Sequence, residues 1–277
     1  MVTELAHAPN LAALYGRAAL GAVRPGRRGR ELPGESLALS RVEVDRAHLA
    51  AYDRVCGFRL TDDLPPTYPH VLVFGMQVAL MTAGDFPFPM IGLVHVANRI
   101  TATRPVRVGE PLVLRTHAEN LAPHERGTRF DLVSDAAVDG EPVWRETSTY
   151  LHRSKGGASG RRQPAADVPP ADAVWRIPGD VGRRYAEVSG DRNPIHLHPL
   201  TARMFGFPRA IAHGMWSLAR CLAHYEGTLP GAYTVHARFQ SPILLPATVA
   251  LSATRYGFDL RDRRTGKPHV AATISRP

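Results

Sequence analysis

The sequence predicts an α+β protein built from two tandem copies of one unit, each a long buried helix wrapped by an antiparallel sheet. Three observations carry this expectation. The same order of residues recurs on either side of the chain's middle, a Gly/Pro/Ser/Arg-rich stretch separates the two copies, and each half holds one long apolar helical run followed by β-rich runs.

The repeat is legible residue by residue. Tyr52-x-x-Val55-Cys56-Gly57 in the first half corresponds to Tyr185-x-x-Val188-Ser189-Gly190 in the second, and Phe74-Gly75-Met76 to His213-Gly214-Met215. Further on, His95-Val96-Ala97-Asn98-Arg99 has a counterpart in Val235-His236-Ala237-Arg238-Phe239, and Arg104-Pro105-Val106 in Ser241-Pro242-Ile243. Between the halves, Arg153 to Ala171 has no apolar periodicity and reads as a linker. The expected division is therefore residues 1–152, a linker over 153–171, and residues 172–277.

Each half opens with an extended segment and a short helix. The long helix follows, over Val71 to Ala83 and again over Ile211 to His224, with hardly a charge, as a helix buried nearly all round requires. The strand runs then come in order: Pro111 to Thr116, Thr128 to Val133 and Val143 to Leu151, against Tyr233 to Phe239, Thr248 to Thr254 and His269 to Ile274. One buried helix wrapped by an antiparallel sheet is the hotdog arrangement. Two of them edge to edge would share one continuous sheet.

Composition narrows the function classes. At 277 residues and 44% hydrophobic content the chain is long enough for a sizeable core. Cys56 and Cys221 stand far apart with no partner spacing, so neither a disulfide framework nor a thiolate metal site is indicated. The apolar stretch Leu11 to Val23 is interrupted by Arg17 and does not resemble a signal peptide, and no apolar run reaches membrane-spanning length. A cytoplasmic protein is the expectation. The net charge of +9 is concentrated in Arg24, Arg27, Arg28 and Arg30, in Arg161 and Arg162, and in Arg261, Arg263 and Arg264; each cluster taken singly reads as a solvated loop. Nucleic-acid binding is not supported, because zinc-finger spacing and an RNA-binding signature are missing and aromatics make up only 7% of the chain.

The most specific feature is Tyr185-Ala-Glu-Val-Ser189-Gly190-Asp191-Arg-Asn193-Pro194-Ile-His196, followed by Ala202 and by Ile211-Ala212-His213-Gly214-Met215. These residues resemble the MaoC-like, or hydratase 2, family, whose signature is a Tyr, a Ser-Gly-Asp-x-Asn-Pro-x-His core and a downstream Ala. The match is strong over Tyr185 to Met215. The resemblance implies interconversion of trans-2-enoyl and (R)-3-hydroxyacyl thioesters, with no metal and no cofactor. The substrate would be an acyl-CoA or an acyl carrier protein thioester, and the surplus positive charge suits either anionic carrier.

The chemistry calls for these residue types. A proton must move at the α-carbon and water at the β-carbon, and one carboxylate with one imidazole can share both tasks; imidazole titrates at roughly pH 6.5. By the resemblance, Asp191 and His196 flank the catalytic water and Asn193 orients them. Pro194 would fix the turn. Gly214, at the start of the apolar helix, would offer its amide to the negative charge that develops on the thioester oxygen. Arg192, Pro194, Ile195, His213, Met215 and Phe239 are the expected substrate contacts.

Plainer readings stand beside these. Asp-x-Asn-Pro alone is a turn or helix cap, since both side chains bond their own backbone. His196 and His198 with Asp191 could suggest a metal site, although the spacing already has a non-metal explanation. His213 reads as a structural histidine and Tyr185 as a packing residue. In the first half, registering Tyr52 on Tyr185 and Gly57 on Gly190 puts Phe58, Leu60 and Asp63 where Asp191, Asn193 and His196 stand, so one catalytic site is expected and the first half is free to accommodate the acyl chain. Two other readings of a hotdog chain are a non-catalytic acyl-thioester-binding subunit and a thioesterase; Gly214 to Arg220 lacks the helix carboxylate that a thioesterase usually carries. The doubled unit could act as a monomeric pseudo-dimer or pair into a homodimer.

Overall fold

A computed structural model describes residues 1–23, 29–153 and 170–277. Most of the expected linker, and Arg24, Arg27, Arg28, Arg161 and Arg162, lie outside the described residues.

Each half begins alike. In the first, strand β2 (Ser36–Val42) leads into helix α2 (Arg46–Cys56); in the second, β7 (Ala173–Ile177) leads into α4 (Val181–Ser189). Both helices stop for the same reason. Gly57 (φ 83°) and Gly190 (φ 73°) take the left-handed conformation, and their amides close back on Asp53 and Ala186. The repeat-related Tyr52 and Tyr185 meet where α2 packs on α4, with ring centroids 6.2 Å apart.

The long helices come next, with edges shifted from the sequence reading. Helix α3 spans Tyr68–Met81, because Pro69 sits at a favourable first-turn position and Thr82 closes the far end. In the second half, Ile211 bridges Leu244 and the Ala212 amide donates to the Ile243 carbonyl, so the backbone is still extended there. Helix α7 therefore starts only at Gly214 and runs to Leu222, continuing as a 3₁₀ turn over Ala223–Tyr225. Gly214 thus opens its helix, whereas its counterpart Gly75 lies two turns inside α3.

The strands form one eleven-stranded sheet. In the first half β3 (Leu93–Ala102), β4 (Leu112–His124), β5 (Gly127–Val138) and β6 (Glu141–Arg153) join β2; in the second β8 (Tyr233–Phe239), β9 (Ala247–Thr254), β10 (Gly257–Asp262) and β11 (Pro268–Ser275) join β7. The spatial order is β2-β4-β5-β6-β3 followed by β8-β11-β10-β9-β7, so the second half repeats the first in mirror order about the joint. That joint is the antiparallel pairing of β3 with β8, where Asn98 faces Ala237 and Ile100 faces Val235. A short β1 (Val2–Glu4) extends the sheet in parallel beside β2. This is a double hotdog. The apolar faces merge into one core that includes Met76 and Leu114 from the first half and Leu218 and Val249 from the second.

A buried polar cluster interrupts the first-half core. Glu146 on β6 is fully buried and accepts from His70 Nδ1 (2.9 Å) and Gln77 Nε2 (3.3 Å) on α3 and from Asn98 Nδ2 (2.7 Å) on β3. A carboxylate without water needs such donors; here they also fasten α3 to the sheet.

Candidate active site

The site is assembled by a chain reversal after α4. Gly190 turns the backbone out of the helix, and Asp191 folds its carboxylate onto its own loop, Oδ1 accepting the Asn193 N–H at 3.1 Å. Asn193 then caps the one-turn helix α5 (Pro194–Leu197), its Oδ1 accepting the Ile195 N–H at 3.4 Å, with Pro194 at the first helical position. The turn-and-cap reading and the catalytic reading therefore describe the same hydrogen bonds. They lift His196 to face Asp191.

Two backbone carbonyls fix the tautomers of the histidines. His196 Nδ1 lies 2.8 Å from the Ile211 carbonyl and must donate to it, so in the neutral ring Nε2 carries the lone pair. His213 Nε2 donates likewise to the Asp191 carbonyl at 2.9 Å, and its ring stacks on that of His196 with centroids 3.7 Å apart and on Tyr185 at 4.9 Å. Burial lowers the pKa of His196 despite the nearby Asp191 carboxylate. Burial, with repulsion from His196, pushes His213 down to about 3. Burial acts to raise the Asp191 carboxyl, but His213, His196, the Asn193 amide and the Tyr15 hydroxyl outweigh it and hold it below the ordinary carboxylate value. Near neutral pH the site thus holds one carboxylate and two neutral imidazoles.

Asp191, His196 and His213 bring ligand atoms within 4.8 Å of one another, close enough for a three-ligand cluster, and the two carbonyl bonds leave His196 Nε2 and His213 Nδ1 as the ring nitrogens with lone pairs. His198 turns away from this group, accepting the Leu200 N–H at the start of helix α6 (Pro199–Met204).

These groups border a cavity of about 300 Å³ at the joint of the two halves. Gly214 opens α7 beside it, with its amide at the positive end of the helix dipole. A Cβ at Gly214 would lie 3.2 Å from Phe239, whose ring sits edge-on to His95 at 4.9 Å. Asn193, Ile195, His213, Met215 and Phe239 line the cavity with Asp191, His196 and Gly214. Arg192 is exposed and Pro194 shapes α5; neither is among the lining residues, so the structure does not bring these two expected contacts into the site.

The first-half wall comes from α3, β3 and β6, through His70, Phe74, Leu93, His95 and Tyr150. Phe58, Leu60 and Asp63 are elsewhere: Phe58 is buried against Tyr52, Leu60 is exposed, and Asp63 pairs with Arg107 at 3.0 Å. Sequence reasoning also missed Tyr15, on helix α1 (Leu11–Val23), whose hydroxyl donates to Asp191 Oδ1 at 3.0 Å. The available signal was the apolar helical spacing of Leu11 to Val23 with one tyrosine in it.

A double hotdog with one carboxylate–imidazole pair beside a helix N-terminus, at the joint of its halves, has the arrangement of hotdog-fold hydratases and dehydratases. The chain belongs to the MaoC-like dehydratase family: residues 172–275 match the MaoC like domain, and the relationship extends well beyond that half. The chain is 40% identical over 266 residues to 3-hydroxyacyl-thioester dehydratase X of Mycobacterium tuberculosis, covering 93% of this chain and 95% of the relative. It superposes on the crystal structure of HtdX from Mycobacterium tuberculosis with a TM-score of 0.78 at 39% identity, over 87% of this chain and all of that one. A second Mycobacterium tuberculosis structure, described as a double hotdog fold, shares the fold with a TM-score of 0.50 at 13% identity, over 91% and 97% of the two chains.

Proposed function

We propose that the protein adds water to trans-2-enoyl thioesters and, in reverse, dehydrates (R)-3-hydroxyacyl thioesters in fatty-acid metabolism. The observation that carries this reading is the fixed tautomer of His196: its Nδ1–H is held by the Ile211 carbonyl, which leaves Nε2 as a base beside the ionised Asp191.

In the hydration direction, water lies between Asp191 and His196. As its oxygen bonds to the β-carbon, His196 Nε2 takes its proton and the alkene electrons move through the α-carbon onto the thioester oxygen. The Gly214 amide faces that charge. The imidazolium, stabilised by the Asp191 carboxylate, then returns the proton to the α-carbon as the enolate collapses. One water is consumed, no other reactant is required, and the neutral imidazole is restored. Dehydration retraces these steps. His213 and Asn193 support the pair by holding the loop.

The first-half wall supports accommodation of the acyl chain in residues 1–152, through Phe74, Leu93 and their neighbours, with catalysis confined to residues 172–277. Among the described residues no helix is long and apolar enough to cross a membrane. We place the enzyme in the cytoplasm, acting on CoA or acyl carrier protein thioesters, as a monomer whose halves supply the pseudo-dimer or as a homodimer.

The test is a chain-length series of trans-2-enoyl-CoA substrates with a carrier-protein thioester alongside, read by loss of the enoyl-thioester absorbance and by free thiol. Loss of absorbance without thiol release is expected. Thiol release with the alkene intact would mark a thioesterase, and binding without turnover a non-catalytic subunit.

A further inference from the structure

Helix α1 lies outside the repeated units, yet it places a side chain on the carboxylate of the site. We infer that Tyr15 is a positioning residue for Asp191: its hydroxyl saturates one carboxylate oxygen, so that the other is the oxygen presented to water. The inference rests on the reading of Asp191 as a catalytic group given above.

The hydrogen bonds around Asp191 account for both oxygens. Oδ1 accepts from the Tyr15 hydroxyl at 3.0 Å and from the Asn193 N–H at 3.1 Å, which uses its two lone pairs. Oδ2 lies 3.8 Å from His213 Nε2, whose proton is directed instead to the Asp191 carbonyl at 2.9 Å. Among the described residues Oδ2 thus has no hydrogen-bond donor and is the oxygen left for water. The Tyr15 hydroxyl in turn accepts the Arg192 N–H at 3.0 Å, so its own proton is directed at Asp191. Burial and the adjacent carboxylate raise the phenol's pKa far above its ordinary value, so it stays a donor at any working pH. One hydroxyl therefore ties the Asp191 side chain to the backbone of its own loop.

The segment carrying Tyr15 is held from both halves. Asn10 caps α1 by accepting the Ala13 N–H at 3.2 Å, and Leu14 is buried in the core. Leu11 presses on Gly190, where a Cβ would come within 2.3 Å of Leu11 Cδ1; the Pro9 carbonyl lies 3.4 Å from the Cβ position of Gly75 on α3. The close fit at Gly190 is to the residue that turns the chain toward Asp191. The helix, the turn and the carboxylate are packed as one unit.

The test compares the full chain with Tyr15→Phe, which keeps the ring and removes the hydroxyl, and with Arg17→Ala, an exposed change on the same helix. Hydration of a trans-2-enoyl-CoA is followed against pH, with thermal melting of each protein. Tyr15→Phe is expected to lower kcat by roughly 10- to 150-fold, the range of one hydrogen bond to a charged group, with KM little changed. It should also move the acid limb of the kcat/KM profile to higher pH, because Asp191 loses a donor that favours its ionised form. Arg17→Ala should match the parent. Placing 3-fluorotyrosine at position 15 keeps the fold and strengthens the donor, so the acid limb should move to lower pH. A Tyr15→Phe protein with parental kcat and acid limb overturns the inference, as does a kcat loss matched by lost folded protein with the fluorotyrosine limb unmoved. Asp191→Asn separates the two levels: if it is inactive while Tyr15→Phe is parental, only the role of Tyr15 fails, and if it is fully active the functional reading fails with it.

Discussion

Replacing Gly214 by alanine adds one methyl group where the α7 terminus, the Phe239 ring and the thioester oxygen are proposed to converge. The new Cβ would lie 3.2 Å from one ring atom of Phe239 and 3.3 Å from two others, tighter than ordinary contact. On one side the ring is backed by His95, edge-on at 4.9 Å, and His95 is itself stacked on Tyr150 at 4.7 Å, so the ring can give way only toward the cavity it lines. Overpacking of this kind costs about 1–3 kcal/mol of stability, offset in part by alanine's better helix propensity, up to about 1 kcal/mol. The larger effect is on chemistry. The amide survives, but the methyl keeps the oxygen from it, and losing one such donor costs about 2.7–4 kcal/mol in the transition state. Gly214→Ala should therefore lower kcat by about 10²- to 10³-fold while urea unfolding shows a folded protein of somewhat reduced stability. Hydration is measured by loss of enoyl-thioester absorbance. A folded Gly214→Ala enzyme with the parental kcat would refute the placement of the oxyanion at this terminus.

Other consequences concern pH and chain length. Burial lowers His95 to about 4 and His213 to about 3, whereas an unfolded imidazole titrates near about 6.5. For such depressed groups the unfolded chain binds more protons as acid is added. Their contribution is complete above about pH 6.5 and is lost as pH falls toward the folded values, by up to about 1.4 kcal/mol per pH unit for each ring. Urea titrations between neutral pH and pH 4 should show this decline, and a flat profile would contradict it. Phe74→Trp, which enlarges a side chain on the first-half cavity wall, should depress kcat/KM for long enoyl chains more than for a four-carbon one; a uniform effect across the series would place the acyl chain elsewhere.

The repeat made the fold legible because a duplicated unit writes its landmarks twice. Gly57 and Gly190 mark the same helix stop, and Tyr52 and Tyr185 meet at the contact between the halves. Helix edges were less legible. Apolar residues continue upstream of Gly214, and only the pairing of Ile211 with Leu244 and of Ala212 with Ile243 keeps that stretch extended. Within the site, Asp191, Asn193 and His196 lie within six consecutive residues, a turn and the one-turn helix it caps, so local hydrogen bonds write their arrangement into the sequence. Arg192 and Pro194 were carried along by adjacency, although an exposed side chain and a helix-starting proline need not face a cavity lined by their neighbours. Tyr15 was invisible for the opposite reason: it reaches Asp191 from 176 residues away, and the first-half wall likewise arises from pairing between strands. The polar cluster around Glu146 joins α3, β3 and β6, and no local pattern announces it.

The most direct test of the central claim is the rate at which Asp191→Asn hydrates a trans-2-enoyl-CoA, normalised to folded protein. The asparagine oxygen can still accept from Tyr15 and Asn193, so the loop is expected to hold while the charge is lost. If Asp191 works with His196 as proposed, the rate should fall by about 10²- to 10⁴-fold, the range of an acid–base group. A folded Asp191→Asn protein turning over at close to the parental rate would contradict the account.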